Sequence, residues 1–331
     1  MSRSDAASDA EESLPPSTAP NFGIKVTGLD SEEISIQLGT KVGEWVRAFS
    51  RYIDLSALDG VTIAVDYDQA LVDLDRGYDT TYKLSATKSH VVGVAMTPSV
   101  IREGELKSHI VFNAAFMAPL LGVDDSEEYG QALHIIAHEC AHVDVTHAYD
   151  RCFPNTLLRE AIGSILDKCR WQVIFAVWDE YAVTSMIGRV GASQTDAYEQ
   201  AFLSELLTFD DRVASLISAY RLHGDVSKVL VEVYGACGNL LKYSAYHLGN
   251  LRSFNTEWRS CQQSVDALEG HWFLPYFDRL GGCCNSIHDE FGQWESQEPF
   301  LKISGLAEEL VERAGLFINV LPDGAIWVDI P

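Results

Sequence analysis

His138-Glu139-Cys140-Ala141-His142 sets two imidazoles four residues apart, with a carboxylate beside the first. On a helix of about 3.6 residues per turn, the two rings differ by roughly 40° in azimuth and by one turn along the axis. They can therefore hold one cation between them, and zinc is the ion such a pair suits. Glu139 is then placed to take a proton from a water that the ion has acidified. The flanking Ile135, Ile136, Ala137 and Val143 are apolar, so the group is expected to be buried. Buried histidines beside a buried glutamate are costly unless a cation or hydrogen bonds offset them. The plainer alternative, two core histidines and an exposed glutamate, predicts no bound metal.

Two histidines need a third ligand. His134 shares the face of His138, but three ligands in line along one helix cannot form a tetrahedron. His147, further along, faces away. A glycine turn returning a third histidine would need Gly at 145 and His at 148, where the chain has Val145 and Ala148. That leaves a carboxylate from a following helix. Glu180 lies in the apolar stretch Val177-Trp178-Asp179-Glu180-Tyr181, where an unpaired charge is expensive. Its rival Glu160 is nearer in sequence, but Arg159 beside it offers an ordinary surface ion pair. The apolar setting favours Glu180 and the shorter gap favours Glu160. Donors for a developing oxyanion are Tyr181, His223, Tyr243, Tyr246 and His247, each equally readable as a packed aromatic or capping residue.

The elements that must position these groups follow from periodicity. Ser126 and the acidic residues around it predict a helix from about 126 to about 147 that carries the motif. Ahead of it, IKVTGL (24–29), ISIQL (34–38), GVTIAVD (60–66), HVVGVAMT (90–97) and SHIVFNA (108–114) read as strands, with a turn near REGEL. Val42, Trp45, Val46, Phe49 and Ile53 predict an amphipathic helix over 40–53. Helical periodicity then covers 156–188, 195–208, 211–222, 225–248, 257–268 and 301–313, and a hairpin around Pro322-Asp323-Gly324 ends the chain. Strands first and helices afterwards argue for an α+β fold. The expected organisation is a disordered tail over 1–20, a metal-binding domain over 21–190, and a helical region with a terminal hairpin over 191–331 packed on it.

Charge and cysteine usage narrow the class. There are 24 basic against 48 acidic residues, a net charge of −24, without a Lys/Arg cluster. Such a surface repels phosphate backbones, so nucleic acid is excluded as a partner. No apolar run reaches the ~20 residues of a membrane span, and the N-terminus has no signal-peptide core. Seven cysteines, two of them adjacent at Cys283 and Cys284, read as reduced thiols of a cytoplasmic protein.

An HExxH helix preceded by strands and followed by a glutamate on a second helix resembles the gluzincin zinc metallopeptidases. The Trp178-Asp179-Glu180-Tyr181 context is similar to the second motif of small bacterial HExxH proteins, and the match covers about residues 134–185. The resemblance implies a zincin-like N-terminal sheet whose edge strand, here HVVGVAMT or SHIVFNA, holds an extended peptide or protein substrate, with the active-site helix behind it. It implies peptide-bond hydrolysis with zinc on His138, His142 and Glu180 and with Glu139 as general base. The chain departs from the pattern in its longer gap to Glu180. It also lacks the aspartate that several gluzincins carry four residues after the ligand glutamate; Thr184 follows Glu180 there, and Ser164 follows Glu160. The alternative is a catalytically silent, zinc-stabilised interaction or regulatory protein. The oligomeric state is left open.

Overall fold

The computed structural model describes residues 14–86, 93–160, 162–322 and 325–331. Residues 14–20, the inner part of the expected tail, have no regular structure. They are nonetheless tied down: the Thr18 hydroxyl lies 2.8 Å from Ser50 O and 3.0 Å from Ile53 O.

β1 (Gly23–Thr27) leads into α1 (Glu32–Phe49). The Ile34-Ser35-Ile36-Gln37-Leu38 alternation that suggests a strand lies inside this helix. Ser31 caps it by accepting from Ile34 N, and Glu32 and Glu33 oppose its dipole. Leu38, Val42 and Val46, at four-residue spacing, form the buried face, while Ile34 and Ile36 stay exposed. Helical burial outweighs a local period of two.

β2 (Leu58–Ala64), α2 (Tyr67–Asp73), β3 (Ala95–Met96), β4 (Ser99–Arg102) and β5 (Glu105–Asn113) follow. The strands form a mixed sheet of order β1-β2-β5-β3, with β4 also on β5. β1, β2 and β5 are parallel, whereas β3 and β4 run antiparallel to β5. Glu103 and Gly104, both at positive φ, make the tight turn between β4 and β5. Ala95 faces Phe112 and Ser99 faces Ser108, so one register carries β3 and β4 along β5 as a single edge. The expected strand 90–97 is therefore strand only at Ala95–Met96, and its residues 90–92 lie outside the described residues. The other candidate edge, 108–114, is interior, as Ile110, Val111 and Phe112, all fully buried, require.

After α3 (Ala114–Met117) the chain is helical: α4 (Glu127–Cys152), α5 (Ile165–Ile187), α6 (Thr195–His223), α7 (Val226–Ser253), α8 (Gln262–Leu268), α9 (Leu274–Asp289) and α10 (Glu298–Arg313). A hairpin of β6 (Phe317–Val320) and β7 (Ile326–Asp329) closes it; Asp323 and Gly324 of its turn lie outside the described residues. The fold is α+β, and no described helix is long and apolar enough to cross a membrane. One hydrophobic core joins Val61, Ile63 and Phe112 of the sheet to Val177, Leu240 and Phe277, crossing the expected boundary at residue 190.

Helix limits differ from the periodicity where capping and tertiary packing intervene. α5 starts at Ile165, not 156, because Ser164 and Asp167 form a reciprocal capping box. The helices expected over 195–208 and 211–222 are one, since Phe209-Asp210-Asp211 has neither Gly nor Pro and Arg212 reaches back to Glu205. The segment 257–268 splits into a short 3-10 turn and α8. α9 has no counterpart among the expected helices because Gly281 and Gly282 read as breaks. Its inward face of Phe277, Leu280, Cys284 and Ile287 outweighs the ~1 kcal/mol that each glycine costs.

Candidate metal centre

α4 begins at Ser126, whose hydroxyl accepts from Tyr129 N, and its first turn carries Glu127 and Glu128. Ala132, Ile136, Ala137, Cys140, Ala141 and Val143 are fully buried, so the motif sits on a helix covered on several sides. α5 lies alongside α4, and α7 packs closely on α5. A Cβ at Gly249 would collide with Thr184 Oγ1 and the Tyr181 carbonyl, so glycine permits the approach that brings Tyr246 to Glu180. At the far end of α5, Gly191 adopts φ +69° and Ala192 N donates to Gly130 O, pinning the following loop to α4.

His138 Nε2 and His142 Nε2 are 3.2 Å apart. Glu180 Oε2 lies 3.5 Å from the first and 3.7 Å from the second. Zinc bonds of ~2.0–2.1 Å at tetrahedral angles separate donor atoms by roughly 3.3–3.4 Å, so the triangle matches three corners of a zinc site. Glu180 Oε2 is buried and has no hydrogen-bond partner among the described residues, an oxygen that a cation would satisfy. The electrostatics agree. Burial alone would raise the Glu180 carboxyl, but adjoining His138 and the charge of His142 hold it down to about 2. Burial lowers His138, yet Glu180 and Glu139 draw it above the ordinary histidine value. His142 stays below that value because burial dominates. Tyr246 stacks on His138 with centroids 6.3 Å apart, and burial together with the nearby charge of Glu180 pushes the Tyr246 phenol well up.

Glu139 is buried and held from the sheet. Thr97, just past β3, points its hydroxyl at Glu139 Oε2 (2.7 Å) and at the Glu139 carbonyl (3.1 Å). His138, Glu139, His142 and Glu180 all line a cleft of about 560 Å³, a volume suited to a small ligand or a short chain segment. The cleft's other wall includes Ala95 and Thr97. Val94 O accepts from Asn113 N and Met96 faces Val111, so the alternation of an antiparallel ladder turns the Ala95 N–H and C=O away from β5. Asp179 also lines the cleft, its carboxyl pushed up to about 8 by burial and by neighbouring Glu180, and Lys242 adds one cation.

The other residues singled out by type and spacing lie elsewhere or are already bonded. His134 Nδ1 is 3.0 Å from Val190 O and Nε2 is 3.0 Å from Tyr198 OH. Burial and the charge of His138 lower it to about 4, so the ring is neutral, Nδ1–H donates to the carbonyl and Nε2 accepts from Tyr198. Neither nitrogen is left for a metal. His147 faces Asp54, 4.0 Å away. Glu160 is exposed in the loop before α5 and is not part of the cluster. Of the proposed oxyanion donors, Tyr243 and Tyr246 line the cleft. Tyr181 donates to Asn285 on the far side of α5, His223 is exposed, and His247 belongs to a separate buried cluster. Thr97, Tyr198 and Lys242 are cleft residues that sequence reasoning passes over. The four-residue spacing of Lys242 and Tyr246 was a usable signal; Thr97 and Tyr198 carry none.

Comparison with protein-family models, with curated proteins and with solved structures found no match to this chain.

Proposed function

We propose that the chain is a zinc-dependent peptidase of zincin-like architecture, with zinc held by His138, His142 and Glu180. The observation that carries this reading is the triangle of two Nε2 atoms and an otherwise unpartnered carboxylate oxygen, opening onto a cleft. Zinc bound there supplies Lewis acidity, bringing a water's pKa towards ~7 and polarising a carbonyl. Glu139 takes the proton from the attacking water and delivers it to the leaving amine, while Thr97 keeps its carboxylate aimed at the cleft. The outward N–H and C=O of Ala95 pair with an extended substrate, as an added strand would. Tyr246 steadies His138 by stacking on it, and Tyr243 is the cleft tyrosine placed to donate to a developing oxyanion.

The cleft favours this reading over a zinc-pinned scaffold without activity, which needs ligands but no enclosed volume beside a base. The test is digestion of a broad peptide library by zinc-loaded protein. Cleavage that stops on chelation and returns with zinc supports a peptidase. Zinc bound at this triangle with no cleavage of any library member rejects it in favour of the scaffold.

A further inference from the structure

Away from the cleft, α6, α7 and the segment before α8 bring together Glu199, His247 and Cys261. One ligand atom from each lies within 4.8 Å of the other two. Glu199 is buried, and among the described residues no Lys or Arg forms an ion pair with it. Glu205 on the same helix, equally buried, is by contrast paired with Arg212. A buried carboxylate without a counter-charge is expensive. Ser264 relieves it in part: its backbone N–H and hydroxyl both donate to Glu199 Oε1, at 2.9 and 2.7 Å. With that proton committed, Ser264 Oγ accepts from His247 Nε2 at 3.0 Å. The His247 ring thus carries its proton on Nε2, and Nδ1, fully buried, has no partner among the described residues. A ring nitrogen fixed by a hydrogen bond through its opposite nitrogen is the usual arrangement of a metal-binding histidine.

We propose that Glu199, His247 and Cys261 form a second site for a divalent cation of the zinc class, tying α8 to α6 and α7. An oxygen, a nitrogen and a sulfur donor select a borderline-soft ion over magnesium or calcium. Binding expels the Cys261 thiol proton to solvent, leaving a thiolate on the metal. The site does not depend on the cleft or on catalysis.

Cobalt(II) distinguishes the two centres, because only this one offers a thiolate. Chelated His138→Ala/His142→Ala protein is titrated with cobalt(II) and followed by near-ultraviolet absorption. The expected result is an intense thiolate-to-cobalt band saturating near one equivalent. Adding Cys261→Ser, a near-isosteric change at a half-buried position, removes the band, while Cys152→Ser leaves it; circular dichroism confirms that each variant is folded. No band in excess cobalt, or a band that survives Cys261→Ser, overturns the proposal.

Discussion

Glu180, half-buried, and Glu199, buried, are carboxylates on long helices, each beside a histidine from a different helix, yet their surroundings differ. Glu180 leaves an oxygen unpartnered between two imidazoles at the wall of a cleft. Glu199 spends one oxygen on two hydrogen bonds from Ser264, and the adjoining, fully buried His247 packs against the stacked pair Phe202 and Phe277. The first cluster has Glu139, the outward backbone of Ala95 and a cleft beside it, whereas aromatic rings pack around the second. Burying a carboxylate with histidines is thus not in itself a catalytic signature. In the proposed reading, an unspent ligand atom at the wall of a cleft is what sets a catalytic centre apart from a structural one.

The comparison is broken most completely by removing the first cluster's ligands. His138→Ala/His142→Ala should abolish peptide cleavage and lower the zinc content by one ion per chain, by elemental analysis. Glu180→Ala should weaken zinc binding there by orders of magnitude, whereas Glu160→Ala should leave it nearly unchanged; competition with a chelator of known affinity measures both. The reverse order would move the third ligand to the loop before α5.

Next in size is the base. Glu139→Gln keeps the shape and the ligands but cannot accept a proton, so cleavage should fall by about a hundred- to ten-thousand-fold with zinc retained. Equal rates for the variant and the wild type would strip Glu139 of its role. Thr97→Val should have a smaller effect. Loss of a hydrogen bond worth about 1.5 kcal/mol to a charged group corresponds to roughly tenfold in kcat, with zinc content unchanged. A change confined to KM would mean that Thr97 contacts substrate instead of aiming the base.

The smallest effect belongs to the closed cluster. Burial lowers His247 from 6.5 to about 4, with Glu199 opposing the shift. Between those values the unfolded chain binds the proton and the folded chain does not. Stability contributed here is therefore full above pH 6.5, falls as the pH drops to about 4, and levels off below. In chelated protein, His247→Gln should flatten part of this acid limb, read from urea midpoints across pH, and in zinc-loaded protein it should leave cleavage at neutral pH unchanged. An unchanged acid limb would mean that His247 does not titrate as a buried neutral group.

Local chemistry alone determined the HExxH pair, because residues four apart on a helix share a face whatever surrounds them. It also determined the start of α4 at Ser126 and the α+β order of elements. The apolar neighbours of Glu180 were enough to single it out, since burial of an unpaired charge is expensive wherever it occurs. Local pattern misled at Ile34-Ser35-Ile36, where an alternating stretch lies in a helix because Leu38, Val42 and Val46 have a core to face. Only the tertiary structure brought Thr97 to Glu139, Tyr246 to Glu180 and Ser264 to Glu199. Those partners lie on different elements, and no spacing rule links them. Their meeting depends on how closely α7 can approach α5 and on where the sheet's edge runs beside α4. Both are consequences of packing a whole core, which no short window of sequence contains.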